Sequence, residues 1–316
     1  MRILFVWPGL TGYMGDCWRE LAGRNDVELR IAVNIEGNQY GQAFSPADVL
    51  RDLDWNTQLQ KGWKPDVAFI VGWRDKLCRT ATLSEWLSDV PKVCCFDMPW
   101  DWRLRKIFAR FVLDPYLRRF VAAFVPGVVS YSYAKWLGFK RIYKGLFATD
   151  LRRFESMART DDAEGFLYVG RESFEKGIDV LRAAHSLYSE QGGKWGLRIV
   201  NNASPSELGA IYGSARAFVL ASRWEPWGVV LAEAAGAGLP IICTDKCGAR
   251  NEVVQDGVNG RIVKAGSVAA LADAMAEVEK GGFDGAVGRV MAANYGCSPW
   301  ADRVINICKE IICLNG

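Results

Sequence analysis

The stretch Phe166-Leu167-Tyr168-Val169-Gly170-Arg171-Glu172-Ser173-Phe174-Glu175-Lys176-Gly177-Ile178-Asp179-Val180-Leu181 reads as strand, glycine turn, then helix. It is one βα unit, and the rest of the chain repeats it. Short apolar runs alternate with helical stretches at Arg2 to Val6, Val27 to Val33, Val67 to Val71, Lys92 to Phe96 and Ala122 to Val129. They resume at Leu197 to Val200, Ala217 to Ala221, Pro240 to Thr244 and Arg261 to Val263. Strands separated by helices pair in parallel. The expected fold is therefore α/β, with two Rossmann-like domains of residues 1–152 and 153–316. Gly145 to Asp150 and the polar stretch Ser156 to Glu164 mark the join, and the last helix, about 298–314, is expected to pack back on the first domain.

Arg171 and Lys176 belong to the loop at the carboxyl end of a strand, where ligands collect in open α/β sheets, and Gly170 turns the chain into that loop. Both cations suit a diphosphate, Arg through its planar fork and Lys as a compact charge. Two solvated surface charges would look the same in sequence. About fifty residues on stands Glu225-Pro226-Trp227-Gly228-Val229-Val230-Leu231-Ala232-Glu233. A carboxylate accepts hydrogen bonds through two oxygens, so one Glu can hold neighbouring sugar hydroxyls. With residues 227–237 helical, Glu233 lies roughly 12 Å of helical rise beyond Glu225. That is comparable with a nucleotide sugar from hexose to ribose. The free N–H groups of Trp227, Gly228 and Val229 then favour a negative group such as phosphate. The plain alternative is a first-turn acid complementing the helix dipole and a solvated Glu233.

Together and in this order, the two segments resemble the retaining glycosyltransferases of family 4, which have the GT-B fold; the resemblance implies two Rossmann-like domains whose parallel sheets face each other across a cleft. The resemblance runs over about residues 164–263, through Gly236-Ala237-Gly238-Leu239-Pro240-Ile241-Ile242, Gly248-Ala249-Arg250-Asn251-Glu252 and Asp256-Gly257-Val258-Asn259-Gly260. It implies transfer of a sugar from a nucleoside-diphosphate-sugar donor to the hydroxyl of a glycan, glycolipid or small-molecule acceptor, with retention. Residues 1–152 become the acceptor domain and 153–316 the donor domain. Arg171 and Lys176 would grip the diphosphate, Glu225 the donor hexose and Glu233 the ribose, with Gly170, Trp227, Gly228 and Val229 beside them. Arg171, Lys176 and Glu225 form the implied catalytic set. The donor is a substrate, so no cofactor is expected, and no paired-aspartate motif asks for a metal. A nucleotide-sugar epimerase or phosphorylase on the same fold, or a non-catalytic nucleotide-sugar-binding relative, would share these residues.

Two features depart from the family pattern. Many relatives place a histidine of the first domain near the reacting sugar, whereas the only histidine is His185, within the helix after the Arg171–Lys176 loop. The stretch between Val200 and Leu208 is short for the family, which alters the expected base-binding wall. In the first half, Pro8-Gly9-Leu10-Thr11-Gly12-Tyr13-Met14-Gly15 follows the first strand, and the resemblance puts Gly12 and Tyr13 near the donor. Asp97 and Asp101 follow another strand end; they can accept from an attacking acceptor hydroxyl or cap the next helix. Trp73, Trp100 and Trp102 suit either a sugar cleft or an aromatic core.

A chain of 316 residues, 50% hydrophobic, buries one large or two medium cores. No apolar run reaches the ~18 residues of a membrane span. Met1 to Leu10 reads as a strand rather than a signal peptide, so the expected location is cytoplasmic. Nine cysteines without paired C-x2-C spacing read as reduced thiols. The net charge is only +3, yet residues 101–155 hold twelve Lys or Arg against four Asp or Glu. Within the basic region 103–119, Leu104, Ile107, Phe108 and Phe111 recur at helical spacing. That helix can rest on an anionic membrane to reach a lipid-linked acceptor, or pack on the core with a basic outer face. No nucleic-acid-binding motif accompanies the patch, so nucleic acid is not expected as a partner.

Overall fold

The computed structural model describes residues 1–9, 11–33, 49–50, 62–101, 103–155 and 164–315, apart from the side chains of residues 49, 50, 105, 155 and 315. Its contacts divide the chain into two compact units, Met1–Ala148 with Cys297–Gly316, and Thr149–Gly296. The polar stretch at 156–163 lies outside the described residues.

The first unit is a seven-stranded sheet in the order β3-β2-β1-β4-β5-β6-β7. Its elements are β1 (Arg2–Trp7), α1 (Gly12–Ala22), β2 (Glu28–Val33), β3 (Val49–Leu50), β4 (Val67–Val71) and α2 (Lys76–Leu83). They continue with β5 (Lys92–Cys95), α3 (Leu104–Leu117), β6 (Ala122–Val125), α4 (Val128–Trp136) and β7 (Ile142–Lys144). All pairs are parallel, from Arg2 against Glu28 and Ile3 against Val67 outward. Ile3, Leu4, Phe5 and Val6 are all fully buried, which explains why this strand reads as an unbroken apolar run: helices cover both faces of a parallel sheet. The strand expected to reach Val129 stops at Val125, because Pro126 has no N–H for the ladder; Gly127 then caps the start of α4. The final helix, Cys297–Asn315, belongs to this unit. There Trp300 Nε1 donates to Leu146 O at 2.7 Å and Arg303 Nη1 to Gly145 O at 3.2 Å.

The second unit is a five-stranded parallel sheet in the order β12-β11-β10-β8-β9. It comprises α5 (Arg152–Glu155), β8 (Glu164–Val169), α6 (Ile178–Glu190), β9 (Leu197–Val200), α7 (Pro205–Gly213) and β10 (Ala215–Leu220). After these come α8 (Val229–Gly236), β11 (Ile241–Thr244), α9 (Arg250–Val253), β12 (Gly260–Val263), α10 (Val268–Lys280) and α11 (Gly285–Ala292). His185 packs within this unit, its Nε2 lying 2.9 Å from Trp195 O. Among the described residues no helix is long and apolar enough to cross a membrane. All nine cysteines are free, and only Cys313 is exposed.

The strand orders locate the ligand-binding ends. In the second sheet β8 connects to β9 on one side and β10 returns on the other, so the order reverses between β8 and β10. In the first sheet the reversal falls between β1 and β4. At such a reversal two loops diverge and leave a crevice at the carboxyl ends of the strands.

Candidate functional site

The loops that diverge from β8 and β10 carry the Arg171–Lys176 segment and Glu225. Gly170 turns out of β8 at φ 148°, and the Tyr168 hydroxyl donates to Arg171 O at 2.8 Å. Burial, and then the nearby charges of Glu225 and Glu172, push the Tyr168 hydroxyl pKa up. A single 3₁₀ turn, Phe174–Lys176, ends at Gly177, which has φ 66°. A Cβ on Gly177 would stand 2.3 Å from Ala221 O, so only glycine lets this loop approach the end of β10 so closely.

The two loops are knitted together. The Arg223 amide donates to Glu175 O at 2.8 Å, and the Trp224 amide donates to the same oxygen at 3.3 Å. The Arg223 guanidinium grips Asp179 with two bonds, of 2.7 and 2.5 Å, and donates to Phe174 O at 3.0 Å while lying over the Phe174 ring. Sequence reading missed Arg223, because its partner is 44 residues away and no local pattern links them.

This arrangement brings Lys176 to Glu225. The Lys176 ammonium donates to Glu225 Oε2, with the two side chains 20% and 10% exposed. Glu225 is itself anchored by its backbone: its N–H donates to Lys246 O at 3.2 Å and its C=O accepts the Gly248 amide at 3.0 Å. Gly248 has no room for a side chain, since a Cβ would sit 1.9 Å from Pro226 O. Arg171, on the same loop as Lys176, is exposed, and no side chain among the described residues pairs with it.

The expected helix over 227–237 is shorter. It runs Val229–Gly236, because Gly228 adopts φ 92°, a left-handed conformation that cannot continue a right-handed helix. Trp227 and Gly228 therefore precede the helix, and the Trp227 ring is buried against Tyr295 at 5.2 Å. First-turn amides such as that of Val229 have no acceptor within the helix. Glu233 is buried rather than solvated: Oε2 accepts from the Tyr212 hydroxyl at 2.8 Å and Oε1 from Thr149 Oγ1 at 3.4 Å. Burial, followed by the charge and hydrogen bond of Glu233, raises the Tyr212 hydroxyl pKa well above its ordinary value. Neither Tyr212 nor Thr149 was legible as a partner of Glu233 in the sequence.

Residues 194–286 match the family model "Glycosyl transferases group 1". That segment contains both Glu225 and Glu233 and begins after the Arg171–Lys176 loop. The glycogen synthase of Mycobacterium tuberculosis is 34% identical over 145 residues, an alignment covering 38% of this chain and 34% of that protein. The chain thus spans about a third of the length of the curated relatives it matches. Among solved structures, a Rickettsia africae glycosyltransferase aligns with TM-score 0.76 at 14% identity over 98% of both chains. Sucrose-phosphate synthase from Thermosynechococcus elongatus gives 0.71 at 16% identity, over 99% of this chain and 100% of that one. Anabaena HepE, in complex with UDP and glucose, gives 0.72 at 14% identity, over 98% and 100%. The likeness to these structures is one of fold, two parallel-sheet α/β domains as in GT-B glycosyltransferases.

The remaining sequence-derived residues lie in the first unit. Gly12 opens α1 after Thr11, whose buried Oγ1 has no hydrogen-bond partner among the described residues. Tyr13 sits edge-on to Phe147 at 5.6 Å. Asp97 is half-buried, and its C=O accepts from Ser130 Oγ at 3.0 Å. The Asp101 carboxylate accepts from Lys106 Nζ at 2.8 Å and from the Arg103 amide at 3.2 Å. Burial works to raise its pKa, but the Lys106 and Arg103 contacts outweigh that and leave it below the usual carboxylate range. Asp101 is thus engaged at the entry to α3. Trp73 packs on Phe96 at 5.5 Å and Trp100 on Trp136 at 5.1 Å, both at the margin of the core, while Trp102 lies outside the described residues. Among the described residues no cluster of His, Cys, Asp and Glu is arranged to hold a metal ion.

Proposed function

We propose that this protein transfers a sugar from a nucleoside-diphosphate-sugar to an acceptor hydroxyl, with retention of configuration, in the manner of family 4 glycosyltransferases. The observation that carries the reading is the meeting of Lys176 and Glu225 on the two loops that leave the reversal point of the second sheet. The family match over the segment containing both glutamates supports it. Lys176 and the exposed Arg171 neutralise charge that grows on the diphosphate as the sugar C1–O bond breaks and its electron pair stays with the leaving phosphate. Lys176 occupies Glu225 Oε2, and no donor among the described residues takes Oε1, which is left for a sugar hydroxyl. Glu233 takes the ribose end. The acceptor oxygen bonds to C1 on the face the diphosphate leaves, and its proton passes to a phosphate oxygen of the donor. The donor is a substrate, and the reading requires no cofactor. Gly12 and Tyr13 lie on the donor side, Asp97 and Asp101 on the acceptor side. The location is cytoplasmic, with the basic region 103–119 at the membrane surface when the acceptor is a lipid-linked sugar.

The test is thermal shift with a panel of nucleoside diphosphates and their sugars, on wild type and Arg171→Ala, followed by assay of nucleoside diphosphate release with acceptors. Because HepE was solved with UDP and glucose, uridine donors head the panel. A ligand at ~100 times its Kd stabilises by about 2.7 kcal/mol, several degrees of Tm. A shift for one base that is lost in the variant, with diphosphate released only when acceptor is present, supports transfer. Donor conversion without acceptor would instead indicate an epimerase, and a thermal shift without any turnover a binding protein.

A further inference from the structure

Helix α3 is apolar on two opposite sides. Its inner side, with Ala109, Leu113, Tyr116 and Leu117, packs on the core of the first unit. On the other side Leu104, Phe108, Phe111 and Val112 stand at i, i+4, i+7 and i+8, one stripe, and are exposed by 70%, 57%, 69% and 76%. A soluble surface seldom shows four large apolar side chains in a row, and such a patch marks a contact.

The flank of the same helix supplies a second, independent feature. A cavity of about 410 Å³ opens there, lined by Arg110, Arg118, Lys140 and Arg141 over an apolar floor that includes Phe120. Its one carboxylate, Asp114, is already matched by Arg118 Nε at 2.6 Å. Arg110 rests over the Trp136 ring at 5.9 Å. Lys140 and Arg141 are exposed and have no ion pair among the described residues. The cavity lies where the chain enters β6 and β7, at the edge of the sheet opposite the strand ends that carry Asp97 and Gly12. It is no part of the site described above.

We propose that the outer stripe of α3 and this cavity form one docking surface for an anionic bilayer. The stripe enters the acyl region, and the cavity receives the phosphate of a lipid headgroup. An apolar stripe alone would fit many partners. A stripe flanked by the unpaired Lys140 and Arg141 and a hollow roomy enough for a phosphate headgroup matches an amphiphile with an apolar tail and an anionic head. The inference rests on and deepens the membrane contact proposed above for the basic region 103–119, and its test reads sedimentation, so an inactive enzyme leaves it untouched.

The experiment is co-sedimentation of the full chain with vesicles of phosphatidylcholine alone and of phosphatidylcholine mixed with phosphatidylglycerol. Wild type should sediment with the mixed vesicles and stay in solution with the neutral ones. Phe108→Ser with Phe111→Ser should abolish sedimentation. Lys140→Gln with Arg141→Gln should weaken it by about 25-fold, roughly fivefold for each cation near an anionic leaflet. All four positions are exposed or lie at the surface, and an unchanged Tm verifies that both variants fold. Equal binding to the two vesicle types overturns the proposal, as does insensitivity to either double variant. A third arm adds inorganic phosphate alone: a rise in Tm without vesicle sedimentation would make the cavity a free-phosphate site and overturn it too.

Discussion

Lys176 reaches across from the loop after β8 to donate to Oε2 of Glu225, 49 residues later in the chain, on the loop after β10. The pair is largely shielded from water, so neither charge is a free surface group. Lys176 is held in place by the Glu225 carboxylate, while Arg171 on the same loop remains exposed. The two cations should therefore respond differently to removal.

Arg171→Ala should lower kcat by about 10²–10³, as for loss of one donor to a developing negative charge. Because Arg171 is exposed and unpaired, its Tm should stay where it is. Steady-state kinetics beside a melting curve check both halves; an unchanged kcat would remove Arg171 from the chemistry.

Lys176→Met and Glu225→Gln should each destabilise the protein by about 1–3 kcal/mol, since each leaves the other group shielded without its partner. The double variant should lose less than the sum, with a coupling of about 0.5–3 kcal/mol. Denaturant unfolding of the four proteins measures this, and strict additivity would mean that the pair does not form in solution.

Glu233→Ala should raise the donor KM more than it lowers kcat, because ribose contacts are alike in the ground and transition states. It should also destabilise by about 1–3 kcal/mol, since the buried Tyr212 hydroxyl loses its acceptor. Tyr212→Phe together with Glu233→Ala should recover part of that stability without recovering KM. A pure kcat defect in Glu233→Ala would contradict the ribose role.

The Arg223 hydrogen bonds lower the Asp179 carboxyl pKa to about 2 from an ordinary 3.8. A depressed carboxyl contributes stability that is present above its unfolded pKa and lost as pH falls through its folded one. The Asp179–Arg223 clasp should therefore loosen between about pH 4 and pH 2, the window set by these two values. Both groups are near the surface, so the effect is local to the loops. A carboxyl-carbon NMR titration should find the low midpoint in wild type and an ordinary one in Arg223→Ala; the same midpoint in both would dismiss the clasp.

Gly177→Ala should cost about 1–3 kcal/mol, the range for backbone held where a side chain is strained. It should also displace Lys176, since the new Cβ would overlap Ala221 O. Activity falling together with Tm is the expected result, and a fully active, equally stable variant would show that the loop has slack.

Much of this was legible in the sequence. The apolar runs from Arg2 and from Phe166 mark buried parallel strands, because both faces of such strands are covered and no polar alternation is needed. The weakest strands escaped: Val49–Leu50 is two residues long, and Ile142–Lys144 is half-exposed at the sheet edge, too short to show a period. The start of α8 was misplaced because Gly228 can occupy either hand of the backbone map, and residue type alone does not say which. Asp101 read equally well as an acceptor-side carboxylate or a cap, and only the position of Lys106 shows how it is engaged.

The sequence by itself determined the α/β alternation, the two parallel sheets and the residue types suited to a diphosphate and to sugar hydroxyls, since these rest on local periodicity and side-chain chemistry. Only the tertiary structure decided that Lys176 meets Glu225, that Arg223 clasps Asp179, that Glu233 lies buried under Tyr212 and Thr149, and that the stripe of α3 faces outward. The physical reason is strand order. Which loops become neighbours depends on β10 returning beside β8 instead of beyond β9, a choice made by the packing of the whole sheet and written in no single segment.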